Sequence, residues 1–182
     1  MSTQEHSGVA AIVRRPLHHL GFVVSDLERS IELWVSTFGA GPFHKLEHVA
    51  FDPCQSNGRD VRWDHSAAFG QWGPVAVELQ QFHDVEPRSL GDLLSGGHRQ
   101  GINHVAIAVE DPRAESARLE AAGFPGYLHA RFGEIDITFH DAIDVLGYSI
   151  EVHQAGPTLD GFFTTVAEAA GDWDGRDPVR SF

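Results

Sequence analysis

Two short apolar runs, each with histidine near its start, dominate the pattern of hydrophobic and polar positions. Residues 17–24 read LHHLGFVV, and residues 102–109 read INHVAIAV. Bulky and small side chains alternate in each run, which predicts a strand with one face against a core and one less crowded face. Histidine on the less crowded face needs a partner, because burying an unsatisfied polar ring costs free energy.

The two runs belong to an internal repeat. An offset of 85 positions pairs His19 with His104, Asp26 with Asp111 and Gly41 with Gly126. Each aspartate directly precedes a segment with helical periodicity, as a residue that caps a helix N-terminus does. Each helix is expected to end near a glycine, Gly39 in the first half and Gly123 in the second.

Three strand patterns follow each predicted helix. They fall at about 43–51, 60–68 and 74–81 in the first half, and at about 124–131, 134–140 and 147–153 in the second. The order β-α-β-β-β therefore occurs twice, which predicts an α+β protein built from two tandem modules, residues 16–98 and 99–156. An N-terminal arm (1–15) precedes them, and a short amphipathic helix with a polar tail (157–182) follows.

Charge and composition limit the classes of partner and the cellular compartment that we expect for this protein. A net charge of −13 disfavours a nucleic acid or an anionic membrane surface as partner, since both attract clustered lysine and arginine. No apolar run approaches the roughly 20 residues of a membrane span, and the first residues do not have the order of a secretory signal. The single cysteine, Cys54, forms no intramolecular disulfide and suits a reducing compartment. We therefore expect a cytoplasmic protein that acts on a small molecule.

Side-chain alternation places four ionisable residues on the strand faces that point away from the helices. His19 and His104 lie on the first strand of each half, and Glu78 and Glu151 lie on the last. An isolated ionised glutamate on an interior face is costly unless a cation meets it. The four would satisfy one another around a divalent metal ion such as Ni²⁺, Co²⁺, Mn²⁺, Zn²⁺ or Fe²⁺. The alternative is hydrogen-bonded core histidines and solvated glutamates.

The segments HHLGFVVSDLERSIELW, INHVAIAVEDP and DVLGYSIEV resemble the vicinal oxygen chelate superfamily of glyoxalases, bleomycin-resistance proteins and extradiol dioxygenases. Over about residues 15–155 the chain is most similar to glyoxalase I and methylmalonyl-CoA epimerase. The resemblance implies a cupped eight-stranded sheet with a central metal ion, and a homodimer. It implies the metal ligands His19, Glu78, His104 and Glu151, of which Glu151 and Glu78 are the catalytic carboxylates.

The resemblance implies a metal-dependent isomerase, epimerase or lyase. The ion would stabilise an enolate formed when Glu151 removes a proton beside a carbonyl or acyl-thioester group. Epimerases of the family carry another carboxylate on the third strand of the first half, where only Asp64 and His65 are candidates here. One alternative is an Fe(II) extradiol-type dioxygenase, which requires Glu78 to withdraw from the metal. The other is a non-catalytic small-molecule binding protein, which the complete ligand set disfavours.

Aromatic residues in the predicted strands and loops bear on the substrate, although core packing is their commoner role. Those that would line or flank the cup are Trp63, Phe69, Trp72, Phe132 and Phe139. If several face inward, the substrate has a ring or a long apolar body. The histidines without an assigned role are expected at the surface, namely His18, His44, His48, His83 and His140.

Overall fold

The computed structural model describes residues 15–97 and 100–182. All but the last residue of the predicted N-terminal arm lies outside the described residues, as does the predicted junction between the modules at 98–99. The first half contains β1 (Leu17–Val23), α1 (Leu27–Phe38), β2 (Phe43–Leu46), β3 (Cys54–Ser56), β4 (Arg59–Asp60), β5 (Arg62–Trp72), β6 (Val75–Glu86) and α2 (Arg88–Leu94). The second contains β7 (Gly101–Val109), α3 (Pro112–Ala121), β8 (Gly126–Phe132), β9 (Ile135–His140), α4 (Ile143–Leu146), β10 (Ser149–Gln154), α5 (Pro157–Gly171) and β11 (Val179–Ser181).

The predicted β-α-β-β-β order is present in both halves, as β1-α1-β2-β5-β6 and β7-α3-β8-β9-β10. The described strands form one sheet in the order β11-β2-β5-β6-β1-β7-β10-β9-β8-β3-β4. At its centre β1 and β7 pair antiparallel, and each also pairs in parallel with the last strand of its own half, β6 or β10. The strands that carry the four predicted ligands are therefore consecutive neighbours.

Three short strands extend the expected eight-stranded sheet. The hairpin β3–β4 comes from the connection between β2 and β5, yet it pairs with β8 of the other half, and β11 pairs with β2. These additions cover the backbone groups at both edges of the eight strands, which would otherwise be open to pairing with other chains. Strand β2 is shorter than predicted and ends at Leu46. His48, two residues later, adopts the left-handed conformation (φ 48°), which departs from the extended backbone of a regular strand.

The ends of the two repeated helices are set as the sequence predicts. The backbone N–H of Arg29 donates to Asp26 Oδ1 at the start of α1, and that of Ala114 donates to Asp111 Oδ1 at the start of α3, each over 3.0 Å. Gly39 ends α1 in the left-handed region (φ 63°), where a residue without a Cβ meets no steric penalty. Both aspartate caps are confirmed.

Each sheet face packs against different partners. The bulky side chains of β1 pack under α1, and those of β7 pack under α3, as predicted. On the opposite face the rings of Trp63 in β5 and Phe139 in β9 lie 5.6 Å apart between centroids. These strands are five positions apart in the sheet order, and a flat sheet would separate them by about 24 Å. The sheet therefore curls into a cup.

The C-terminal helix α5 has 15 residues and is longer than the predicted short helix. It lies across the open side of the cup, with Phe162 against Phe69 (ring centroids 4.9 Å apart) and Phe163 stacked on His19 (5.3 Å). In the described part of the chain, no helix combines the length and apolar character that crossing a membrane would require.

Candidate metal centre

Strand register brings the four predicted ligands to one place. Because side chains point to the same face at every second residue, residues opposite each other on neighbouring strands share a face. A small residue in each central strand lies beside a histidine on one neighbour and a glutamate on the other. The groups that result are Gly21 with His104 and Glu78, and Ala106 with His19 and Glu151. The two halves thus contribute equivalent pairs.

Gly21 makes space for the His104 imidazole. A Cβ at residue 21 would lie 1.9 Å from His104 Cε1 and 2.2 Å from Nε2. Any larger residue would occupy the position of the ring, so the backbone of β1 must be bare at this point. The glycine of the LHHLGFVV run therefore has a role in the site.

Four ligand atoms converge at distances that suit a metal ion. His19 Nε2 and His104 Nε2 are 3.1 Å apart. Glu151 Oε2 lies 3.1 and 3.2 Å from these two nitrogens, and Glu78 Oε2 lies 3.5 and 3.3 Å from them. Metal–ligand bonds of about 2.0–2.2 Å place adjacent ligand atoms about 3.0 Å apart at right angles and about 3.4 Å apart in a tetrahedron. The four residues could therefore hold a divalent ion.

The electrostatics of the cluster also indicate a cation. All four residues are at most 5% exposed. Burial opposes charge on each, yet the glutamates raise the pKa of His19 and raise that of His104 to about 10. His104 and His19 in turn lower the pKa of Glu78 to about 2, and His153 and His104 hold the pKa of Glu151 well below its usual range. Glu151 Oε2 accepts no well-formed hydrogen bond from the described residues. A divalent ion would replace the protons on the imidazoles and satisfy this oxygen.

The centre lies on the floor of a largely apolar cavity, into which His19, Glu78 and Glu151 are directed. Of the five predicted aromatic residues, Trp63, Phe69 and Phe132 line it. Trp72 does not line it and packs with Trp34 and Phe38 outside the cup, in the packing role that is commoner for such residues. Phe139 is fully buried beneath the floor, against His104. Aromatic lining residues not predicted from the sequence are Phe51, Phe162 and Phe163.

Strand β5 brings no carboxylate into the cavity. His65 lines the wall, with its ring stacked on Trp63 at 4.3 Å, and burial lowers its pKa to about 4, so the imidazole is neutral. Asp64 is directed to the other side of the sheet, where its Oδ1 lies 2.8 Å from His48 Nδ1. Of the two candidates for the additional catalytic group, only His65 is near the centre.

Two further histidines, neither of which the sequence pattern predicts to have a role, lie beside the centre. His153 Nε2 is 2.9 Å from Glu151 Oε2, and His18 Nδ1 is 3.0 Å from His19 Nδ1. Burial, followed by the neighbouring histidines, lowers the pKa of His18 to about 3. The position of His153 could have been found from alternation, since it follows Glu151 by two residues in β10.

The surface prediction was wrong for two of the remaining histidines. His44 is 5% exposed, and its ring packs against Phe182 with centroids 4.9 Å apart. His140 is fully buried, with Nδ1 3.0 Å from the carbonyl oxygen of Phe124 and Nε2 3.0 Å from Ser116 Oγ. His140 is therefore a satisfied core histidine, which shows that burial alone does not identify a ligand.

Comparison with known proteins identifies the family. A model of the glyoxalase/bleomycin resistance protein/dioxygenase superfamily matches residues 18–139. The chain belongs to this superfamily. Methylmalonyl-CoA epimerase from Mycobacterium tuberculosis has a similar structure, with 21% identity and a TM-score of 0.54, over 80% of this chain and 91% of that chain. A hypothetical protein from Bacillus halodurans C-125 is similar over 79% and 96%, with 16% identity and a TM-score of 0.56. No protein with curated annotation matches the sequence.

Proposed function

We propose that this member of the superfamily is a metal-dependent isomerase, epimerase or lyase, which moves a proton at the carbon beside a carbonyl group of a small substrate. The observation that supports the proposal is the convergence of two histidines and two glutamates on the floor of a largely apolar cavity. A divalent ion bound there would act as a Lewis acid toward the carbonyl oxygen and so acidify the neighbouring C–H group.

Glu151 is the proposed base. Its pKa lies well below the usual range because of the neighbouring His153 and His104, so the carboxylate is ionised and can accept a proton. His153 lies on the cavity wall, with Nε2 2.9 Å from Glu151 Oε2. Glu78 is the second carboxylate of the site and stays anionic, because its pKa is about 2.

The cavity wall supports a substrate with a ring or another compact apolar body. Trp63, Phe69 and Phe132 contribute aromatic surface, and no lysine or arginine of the described residues lines the cavity. Phosphate groups are usually recognised by such cations. A 2-oxo compound or acyl thioester with an aromatic or branched apolar group therefore suits the cavity, whereas the phosphates of an acyl-coenzyme A would have to remain outside it.

Deuterium exchange tests the proposal. Tag-free, metal-loaded protein is incubated in heavy water with aromatic 2-oxo acids and aromatic acyl thioesters, and deuterium at the carbon beside the carbonyl is measured by NMR. We expect exchange without oxygen consumption. Glu151→Gln should slow it by about 10²–10⁴-fold, the usual contribution of a positioned base. Glu115→Gln is the matched control, since Glu115 is also buried (2% exposed) but lies on α3.

Two results would contradict the proposal. Exchange that continues unchanged in Glu151→Gln would exclude this carboxylate as the base. Oxygen uptake with catechols by the iron-loaded protein, and no exchange with any carbonyl compound, would favour the dioxygenase. That reaction would need Glu78 to leave the metal, whereas Glu78 Oε2 lies as close as 3.3 Å to His104 Nε2.

A further inference from the structure

A second set of metal-binding side chains lies on the outer face of the sheet, away from the cavity. It consists of His48, Asp64 and His83, and one ligand atom of each lies within 4.8 Å of the other two. We propose that these three residues bind a zinc ion, independently of the centre inside the cup and of the reaction proposed for it.

A β-bulge directs His83 toward the other two residues. In the β5–β6 ladder Asp64 pairs with Asp84 and His65 pairs with Phe82, so His83 has no opposite residue. Such an extra residue resets the alternation of side chains along a strand. Phe82 packs inward against the core that contains Trp63, whereas His83 contacts Ser66, the outward neighbour of Asp64. Without the bulge, His83 and Asp84 could not both point outward.

The backbone at His48 completes the set. Its left-handed conformation (φ 48°) is uncommon for a residue with a Cβ, and it places Nδ1 2.8 Å from Asp64 Oδ1. The rings of His48 and His83 lie 4.6 Å apart between centroids. Ser66 Oγ connects them: it accepts a hydrogen bond from the His48 backbone N–H (3.3 Å) and lies 2.8 Å from His83 Nε2. Such outer contacts orient ligand side chains in metal sites.

The chemistry of the three residues favours zinc. Two imidazoles and one carboxylate, with a position open to water, form a common zinc coordination set. Asp64 has no ion pair with a lysine or arginine of the described chain, so its charge is available to a cation. The pair of His129 and Asp136 differs, because Arg131 already lies 2.9 Å from that carboxylate and no third ligand is present among the described residues.

Zinc at this site would fix part of the cavity wall. The N–H of Val49, next to His48, donates to the His65 carbonyl over 2.8 Å, and Val49 and Phe51 both line the cavity. An ion bound by His48 together with Asp64 of β5 and His83 of β6 would hold the segment 48–51 to those strands, in addition to the hydrogen bond of Val49.

Zinc stoichiometry tests the proposal. Tag-free protein is dialysed to equilibrium against a zinc buffer, and bound metal per chain is measured by mass spectrometry. His48→Ala and His83→Ala should each bind one equivalent fewer than the wild type, and Asp64→Asn should bind this equivalent at least about tenfold more weakly. His129→Ala, which removes another exposed histidine paired with an aspartate, should bind as many equivalents as the wild type.

The difference in zinc content between the wild type and these variants does not depend on whether the interior centre binds zinc. If that centre binds zinc, the totals fall from two equivalents to one, and if it does not, they fall from one to none. His104→Ala should retain the outer equivalent in either case. Equal zinc content in wild type, His48→Ala and His83→Ala would overturn the proposal. Loss of one zinc equivalent in His129→Ala would also overturn the proposal, because removal of any surface histidine would then reduce the bound zinc. Circular dichroism of each variant confirms that the fold is retained.

Discussion

Replacement of Gly21 by alanine tests whether the position of the His104 ring controls metal binding. The new Cβ would lie 1.9 Å from Cε1 of His104, whereas ordinary contact begins at 3.4 Å. The ring must therefore retreat by about 1.5 Å. It is fully buried, with Phe139 packed edge-to-face against it at 5.3 Å, so it cannot turn into free space.

The expected effects follow from this displacement. Coordination distances tolerate changes of about 0.2 Å, so a shift of about 1.5 Å removes His104 from the ligand set. We expect metal affinity to fall by at least about 100-fold, the upper end of what loss of an outer-shell contact alone produces. Overpacking of a core costs about 1–3 kcal/mol. In a chain of this size each kcal/mol lowers Tm by about 2–4 °C.

The assay combines calorimetric metal titration with thermal unfolding of the metal-free protein. Gly70→Ala is the matched control, because its Cβ would lie 2.7 Å from Cδ1 of Phe43, which packs in the core with Leu27 and Ile31 of α1. It should lower Tm and leave metal affinity unchanged. The double variant Gly21→Ala with His104→Ala should be more stable than expected from the two single variants, since the clash is absent. Wild-type metal affinity in Gly21→Ala would refute the reasoning.

Three further predictions concern the ligands and their protons. His19→Ala and His104→Ala should each lose bound metal yet remain folded. Glu78→Gln should lose less metal, because an amide oxygen still coordinates. Unchanged metal content in both histidine variants would exclude the shared site. Near neutral pH, metal binding should release protons, because the pKa values of both histidines are raised in the metal-free protein; titrations in buffers of different ionisation enthalpy measure this. The raised pKa of His104 should also make the metal-free protein lose stability as pH rises from about 6.5, its unfolded value, toward about 10, as urea unfolding would show.

The fold and the convergence of four residues could be predicted because they depend on local periodicities. Alternation along β1 and β7 places His19 and His104 on the face away from the helices, and the repeat offset implies that the two strands are equivalent. These equivalent strands pair at the centre of the sheet, and their register brings the two Nε2 atoms to 3.1 Å from each other. Glu78 and Glu151 follow from the same alternation in the strands that flank them.

Other features depend on contacts between distant segments and could not be predicted. The hairpin β3–β4 is a strand pair only because β8 offers it an edge, and nothing in the sequence of 54–60 specifies that partner. His140 is satisfied by Ser116 and by the carbonyl of Phe124, which only the packed α3 and its following turn supply. The bulge at His83 arises from the register of β5 against β6, which alternation within one strand does not reveal.

The interior centre also bears on how the two modules are held together. Each module contributes one histidine and one glutamate, so neither module has a complete ligand set. If the modules separated, each would keep one histidine and one glutamate without the matching pair of the other module. Burial of such groups without their partners is unfavourable in an apolar interior. A metal ion bound by all four would favour only the arrangement in which β1 and β7 are paired, and its binding energy would add to the stability of that arrangement. In the metal-free protein the protonated imidazoles of His19 and His104 stabilise the same arrangement through their contacts with the glutamates. They do so only at pH values below their raised pKa.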